Sequence, residues 1–327
     1  MSAETVLVTG GAGYVGSHAC KALHRAGYRP VVLDDLRRGF RRAVRWGPLL
    51  EIDLGDRAAV AAALAEWRPV AVMHFAAYAY VGESMRDPGL YYRNNVVNTL
   101  GLLDAMVEAG VRSIVFSSTC ATYGDPVRTP IDEEHPQRPV NPYGETKLAM
   151  ERALHWYGAC HGIGWAALRY FNAAGADPDV EIGENHDPET HLVPLAIAAA
   201  SGGAALQIFG TDYPTPDGTA IRDYVHVRDL AEAHVLSLGR LRGGGGAHAV
   251  NLGTGSGHSV QAVIEAVERR SNRQVPAIRA PRRAGDPPML VADATKARNL
   301  LGWQPACSDL ATIVDTAWRW HARRRDD

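Results

Sequence analysis

Lysine is scarce in this chain: Lys21, Lys147 and Lys296 are the only three in 327 residues, and arginine supplies the rest of the 34 basic side chains. A lysine in a chemical setting therefore stands out. Cysteine is also sparse, with Cys20, Cys120, Cys160 and Cys307 scattered at no metal-ligand spacing. That excludes a thiolate metal site and a disulfide scaffold, and reads as reduced thiols in a cytoplasmic protein. A formal charge of −2 gives no electrostatic reason to expect nucleic acid or an anionic membrane as partner. No apolar run approaches the roughly 20 residues of a membrane helix, and Met1-Ser-Ala-Glu4 lacks the basic start of a signal peptide. Internal repeats and low-complexity tails are absent. The length fits one large α/β domain or two coupled ones.

What is present early is Thr9-Gly-Gly-Ala-Gly-Tyr-Val-Gly16, between an apolar β-type run (Thr5–Val8) and a helical pattern from Tyr14 to Ala26. Strand, glycine turn and helix form the context in which such a turn binds a dinucleotide. A helix start offers unpaired N–H groups and a positive dipole end, so a pyrophosphate is held there without a cationic side chain. Two glycine frames fit, Gly11-x-Gly13-x-x-Gly16 and Gly10-x-x-Gly13-x-x-Gly16. A second buried strand, Val31–Asp35, ends in Asp34 and Asp35 about 20 residues on. An acid there accepts ribose hydroxyls and repels a 2′-phosphate, favouring NAD over NADP. Arg37 and Arg38 pull the other way.

Apolar strands and helices then alternate. Strands are expected at Leu49–Leu54 (carrying Asp53), Val70–His74 and Ser113–Phe116; helices at Arg57–Trp67 and Leu90–Ala109, the latter with Val96, Val97, Leu100 and Leu103 facing inward. Phe75–Ser84 reads as a loop. This rhythm implies a Rossmann-type, doubly wound parallel sheet, with ligands beyond the carboxyl ends of its strands. From about Ala173 turn-forming clusters dominate, such as His186-Asp-Pro and Tyr213-Pro-Thr-Pro, flanked by helices near Leu192–Ala200 and Val227–Leu241. Gly243–Gly246 reads as a surface loop, and His248–Gly253 as a late strand returning to the main sheet. The expected division is 1–172 (with 222–255 returning to it) for the dinucleotide and 173–327 as a smaller, interleaved C-terminal α/β substrate region.

The most informative stretch is Asn141-Pro-Tyr-Gly-Glu-Thr-Lys147. Asn141 suits an N-cap and Pro142 the first helical position, so Tyr143 and Lys147 fall one turn apart on one face. A free tyrosine ionises near pH ~10, and acting as a base near neutrality needs roughly 4 kcal/mol of phenolate stabilisation. The Lys147 ammonium, the helix start and an oxidised nicotinamide are the expected sources. Lysine also suits the nicotinamide ribose. Thr119 offers a hydroxyl to bond the substrate oxygen and relay its proton.

Thr9–Gly16, Phe116-Ser-Ser-Thr119 and Tyr143-x-x-x-Lys147 resemble the extended short-chain dehydrogenase/reductase superfamily. Phe75–Ser84, Tyr91–Asn95, Leu168–Asn172, Phe209–Tyr213, Asp217–Tyr224 and Pro281–Asp286 are more specific, and look like the UDP-sugar 4-epimerases within it. The similarity runs from about Thr5 to Trp318. It implies reversible C4 epimerisation of UDP-glucose and UDP-galactose through a 4-keto sugar, with Tyr143 as base and NAD tightly bound. It implies NAD contacts at Gly10, Gly13, Tyr14, Val15, Gly16, Asp34, Asp35, Asp53, Leu54, Phe75, Ala76, Ala77, Asn94, Lys147 and Tyr170. It implies UDP-sugar contacts at Thr119, Tyr143, Asn172, Leu192, Phe209, Arg222, Arg283 and Asp286, where planar guanidinium groups suit a diphosphate.

Three departures from the pattern bear on specificity. Ala79 stands where many members carry a lysine. Leu290 replaces a frequent tyrosine, a smaller gate that would admit N-acetylated sugars. Ser117–Gly124 is also similar to nucleotide-pentose 4-epimerases. A 4,6-dehydratase would need an Asp-Glu pair after Thr119, where Cys120-Ala121 stand. An NADP-dependent epimerase–reductase would use a cysteine here, but Asp34-Asp35 and the UDP-type motifs oppose it. The helices at Leu90–Ala109 and Lys147–Cys160 carry enough apolar surface for a homodimer.

Overall fold

The computed structural model describes residues 3–283 and 286–326, with side-chain surroundings to 323. Ala284 and Gly285, inside the Pro281–Asp286 motif, lie outside the described residues. Seven strands form the main sheet, ordered His248–Leu252, Gly164–Tyr170, Ser113–Thr119, Ala71–His74, Thr5–Thr9, Arg29–Asp34 and Leu49–Glu51. Every neighbouring pair is parallel. The strand order reverses between Thr5–Thr9 and Ala71–His74, the switch point at which such sheets open a crevice.

Val6–Val8, Val31–Leu33, Ala71–Met73 and Ile114–Phe116 are continuous apolar runs because helices cover both faces of the sheet. In Val6-Leu7-Val8 the period of two sends Val6 and Val8 into one core with Leu23, Leu238 and Trp303. It sends Leu7 into the other, with Leu64, Leu102 and Leu154. A third core joins the helices Leu192–Ala200, Val260–Ser271 and Leu310–Asp326. The halves interleave: Tyr224–His226 pairs with Asn172–Ala174, the following helix Val227–Arg242 packs on Tyr14–Arg25, and the late strand His248–Leu252 pairs with Gly164–Tyr170.

The structure corrects several sequence expectations. The strand carrying the acids stops at Asp34, and the next stops at Glu51. Asp53 therefore sits in a turn, where its Oδ1 accepts the Gly55 N–H at 2.8 Å. Phe75–Ser84 is not all loop, since a helix runs from Val81 to Arg86. The helix expected from Leu90 starts at Pro88, where the Asp87 carboxylate accepts the Leu90 N–H at 2.9 Å. Tyr92–Val97 is wound as π-helix before Asn98–Ala109. Leu103 is buried as expected, but Val97 is turned outward, 52% exposed. The strand from Ser113 continues through Thr119.

Candidate active site

The expected dinucleotide residues and the expected reactive residues meet in one cavity of about 490 Å³. Its lining includes Gly10, Gly13, Tyr14, Val15, Gly16, Asp34, Asp35, Asp53, Leu54, Phe75, Ala76, Ala77, Asn94, Ser117, Thr119, Tyr143, Lys147, Tyr170 and Asn172. A separate surface cleft at Glu133, Asp293, Lys296 and Asn299 contains none of them.

The wall at residues 9–16 is shaped by sterics. Gly10 has φ +72°, and a Cβ there would lie 2.5 Å from the Ala76 amide nitrogen. A Cβ on Gly16 would lie 2.2 Å from the Gly10 carbonyl oxygen. Both end glycines of the Gly10-x-x-Gly13-x-x-Gly16 frame are thus required. Gly13 caps the helix from Tyr14, whose first amides face the cavity where a pyrophosphate would sit. Buried Asp34 ties this turn to its own strand, accepting Ala12 N–H at 3.0 Å and Leu36 N–H at 2.9 Å.

The two arginines that favoured a 2′-phosphate are already engaged. Arg37 is paired with Asp53 at 2.6 Å and Asp35 at 3.3 Å. Arg38 is paired with Glu83 at 2.7 Å and lies over the Tyr78 and Tyr80 rings, 4.5 and 4.9 Å from their centroids. This surround fits a dinucleotide with a free ribose better than one with an added phosphate.

At the floor, the helix Pro142–His161 begins as expected, with Asn141 Oδ1 accepting Gly144 N–H at 2.8 Å. Gly144 lets that helix touch the turn after Thr119: a Cβ would lie 2.4 Å from the Ala121 carbonyl oxygen. The approach brings the Tyr143 phenol near enough for the Thr119 hydroxyl to act on it, and both side chains line the cavity. Lys147 Nζ donates to the Ser117 carbonyl at 2.8 Å and lies 4.8 Å from the Phe116 ring centroid. One turn further, buried Glu151 accepts from Ser118 and from Arg169 Nε at 2.9 Å, bracing helix and strands together.

Burial dominates the electrostatics of the chain by itself. Burial pushes the Tyr143 phenol above its ordinary range, with Tyr170 adding to the rise and the Thr119 bond opposing it. Burial also lowers Lys147 to about 7, against a smaller opposing pull from Glu151. In the chain alone, burial is the largest cause acting on both groups.

The expected UDP contacts beyond Thr119 and Tyr143 fall in three places. Asn172 lines the cavity. Leu192 starts its helix against the third core. Phe209, Arg222, Arg283 and Asp286 form a separate group, with Arg222 paired to Asp286 and Arg283 lying 3.9 Å from the Phe209 ring centroid. This group reaches toward the reactive strand end, because Leu290, paired in register with Arg222, packs on the same cluster as Cys120, whose thiol burial pushes up to about 12. Such a thiol is not a nucleophile at neutral pH.

Residues 181–191 also line the cavity, through Glu181, Glu184, His186 and His191. In the sequence His186-Asp-Pro reads only as a turn; the repeated pairing of Glu with His was the available signal. Burial would lower the His191 imidazole, but Glu184 and Glu189 overcome it and raise it to about 10.

Residues 6–253 match the NAD dependent epimerase/dehydratase family. The chain belongs to that family. It is 52% identical to a UDP-glucose 4-epimerase of Rhizobium leguminosarum bv. trifolii, over 99% of each chain. Its fold matches the Brucella ovis UDP-glucose 4-epimerase crystallised with NAD at a TM-score of 0.95, with 52% identity, covering 97% of this chain and 98% of that one. It matches the Stenotrophomonas maltophila UDP-glucose-4-epimerase, solved with NAD and formylated UDP-arabinopyranose, at 0.95 with 40% identity, covering 99% and 100%. Among the described residues no helix is long and apolar enough to cross a membrane.

Proposed function

We propose that this chain interconverts UDP-glucose and UDP-galactose by reversible epimerisation at C4, with Tyr143 as base, Thr119 as hydroxyl relay and Lys147 as the cation beside them. The observation that carries this reading is that Thr119, Tyr143 and Lys147 line the same cavity as the glycine turn. Bound NAD supplies a reversible hydride acceptor and a positive charge. Residues 1–172, with 222–255, hold that cofactor through the Gly10–Gly16 amides, Asp34, Asp35 and Asp53. The region 173–327 holds the UDP-sugar, with Arg222 and Arg283 on its diphosphate.

Tyr143 as phenolate takes the proton from the sugar O4 as the C4–H bond breaks. Thr119 bonds the same oxygen and keeps it within reach of the phenol. A 4-keto sugar results, held by its diphosphate and free to turn. Tyr143 then returns the proton to O4 when C4 is reduced on its other face. No net oxidation occurs, so no cofactor is consumed. The curated relatives, UDP-glucose 4-epimerases at about half identity over nearly the whole length, support this choice within the family.

UDP-pentose or UDP-N-acetylhexosamine epimerisation is the second reading. The formylated UDP-arabinopyranose of the Stenotrophomonas structure and the modest size of Leu290 favour keeping it. Assembly as a homodimer is supported by exposed Tyr92, Val97 and Trp156, 42%, 52% and 64% accessible. Four unpaired cysteines suit the cytoplasm.

The test is to assay the purified protein, without added cofactor, on UDP-glucose, UDP-N-acetylglucosamine and UDP-xylose separately. Bound NAD and fastest turnover of UDP-glucose are expected. Stoichiometric NADPH consumption, or accumulation of a 4-keto-6-deoxy sugar, would replace this reading by a reductase or a dehydratase.

A further inference from the structure

Two clusters of potential ligand groups stand out among the described residues. In the first, Asp177, Asp179 and Glu181 surround the Lys21 ammonium at 2.7, 2.9 and 2.7 Å, so the lysine already fills it. The second holds only the proton of the His191 imidazolium, which an entering metal ion would displace. In Glu184-Asn-His-Asp-Pro-Glu-Thr-His191, four side chains each offer one ligand atom, and these atoms lie within 4.8 Å of one another.

Glu184 Oε1 stands 3.0 Å from His186 Nδ1 and 2.8 Å from His191 Nδ1. Glu189 Oε1 stands 2.9 Å from His191 Nδ1, and its Oε2 is 3.8 Å from His186 Nδ1. Ligands held about 2.0–2.1 Å from a tetrahedral zinc ion lie roughly 3.3 Å apart. Glu184 stands inside that edge from both histidines and Glu189 Oε2 outside it from His186, with all four ligand atoms within 4.8 Å of one another, so adjustment of the side chains would admit an ion. Two imidazole nitrogens with two carboxylates suit a first-row divalent cation, and the carboxylates balance its charge.

The surroundings hold the ligands in place. Trp320 Nε1 donates to the Glu184 carbonyl at 2.8 Å. Glu189 Oε1 also accepts the Thr190 and His191 N–H groups at 2.7 and 2.8 Å, which leaves Oε2 as its ligand atom. The His186 ring stands edge-on to Tyr14 and Tyr80, centroids 6.0 and 5.9 Å away. Glu184 is buried, yet it lines the cavity with both histidines, which provides an entry path.

We propose that Glu184, His186, Glu189 and His191 bind one divalent cation of the zinc or cobalt type at the rim of the cavity. The site is independent of the epimerase reading, since its test reads binding and not turnover. NAD-containing protein, stripped with EDTA and dialysed, is titrated with Co²⁺ and followed by visible absorption. One cobalt per chain with the intense d–d bands of a four-coordinate ion is expected, displaced by one equivalent of Zn²⁺. Glu184→Gln and His186→Ala should each lower cobalt affinity at least about tenfold, with bound NAD reporting that the fold is kept. X-ray absorption at the zinc edge of the wild-type protein should show two imidazole ligands, a readout that needs no variant. Absence of cobalt binding, octahedral weak bands, or equal binding by both variants would overturn the proposal and leave a hydrogen-bonded Glu–His cluster.

Discussion

Along residues 9–16 the cavity wall is main chain: glycines that tolerate no Cβ, and a helix start whose amides face inward. Along residues 181–191 the wall is side chain, carboxylates and imidazoles that compensate one another, and the separate Arg222–Asp286 pair extends the same pattern beyond the cavity. A main-chain wall is fixed by the fold and suits a ligand that stays. A wall of paired charges can exchange partners, and suits a ligand that comes, turns over and leaves. Substitutions in one wall, or in the floor between them, can be set against the other.

The largest effect belongs to the floor. Tyr143→Phe removes the proton acceptor and nothing from the glycine turn, so turnover should fall about 10³-fold while NAD stays bound. Turnover is followed by UDP-galactose formation, and NAD is measured after acid release. Near-wild-type activity would remove Tyr143 from the base role. Loss of NAD would mean that floor and nucleotide wall are not separable.

Next comes the main-chain wall itself. Gly16→Val drives a side chain into the Gly10 carbonyl, whose oxygen a bare Cβ already meets at 2.2 Å. Overpacking of this kind costs about 1–3 kcal/mol, which is roughly 5–150-fold in affinity. The purified variant should carry much less NAD than the wild type. Among the paired charges, Arg222→Ala should leave bound NAD unchanged and raise the KM for UDP-glucose. A hydrogen bond to a charged group contributes about 1.5–3 kcal/mol, so the rise should be of order 10–100-fold. The two variants exchanging phenotypes would invert the comparison.

The contrast also explains what could be read from the sequence. The glycine turn and the Tyr143–Lys147 pair were legible because each is local: a steric requirement within eight residues, and two side chains one helical turn apart. The late strand at His248 was legible from its apolar run. Val97 was misplaced because a π-turn adds a residue to the helix and rotates the next turns by about 100°. Glu184, His186, Glu189 and His191 follow no helix or strand period, so nothing in their spacing shows that their ligand atoms converge. The rise that burial gives the Tyr143 phenol in the chain alone was not legible for a related reason, since burial depends on tertiary packing.

Acid should separate the walls further. His18, His226 and His234 lie in and around the contact of the helices behind the glycine turn, and His74 under the floor; all four are buried. Burial is the largest cause of each shift, lowering His18, His226 and His234 to about 4 and His74 to about 3. An unfolded histidine protonates near pH ~6.5, so below that pH the unfolded chain binds protons the native one refuses. Stability is then fully present above about pH 6.5 and falls as pH drops toward 4. Urea unfolding at a series of pH values should show this decline. A flat profile between pH 6.5 and 4.5 would show that these rings protonate in the native state.

The smallest effect concerns the gate. Leu290 pairs in register with Arg222 and packs, with Cys120, on the cluster of Tyr123, Ile131, Phe171 and Ala292. It thus stands between the guanidinium assigned to the diphosphate and the strand end that carries Thr119, where the sugar must turn. Leu290→Tyr adds a ring to that space without altering the glycine turn, Tyr143 or Thr119. An N-acetyl group needs the room more than a hydroxyl does, so kcat/KM for UDP-N-acetylglucosamine should fall about tenfold relative to UDP-glucose, within the range one pocket contact supplies. Side-by-side kinetics on the two sugars measure it. An unchanged ratio would move the selectivity to residues 181–191, and would make the Glu–His segment, rather than the strand beside Arg222, the part of the side-chain wall that senses the sugar.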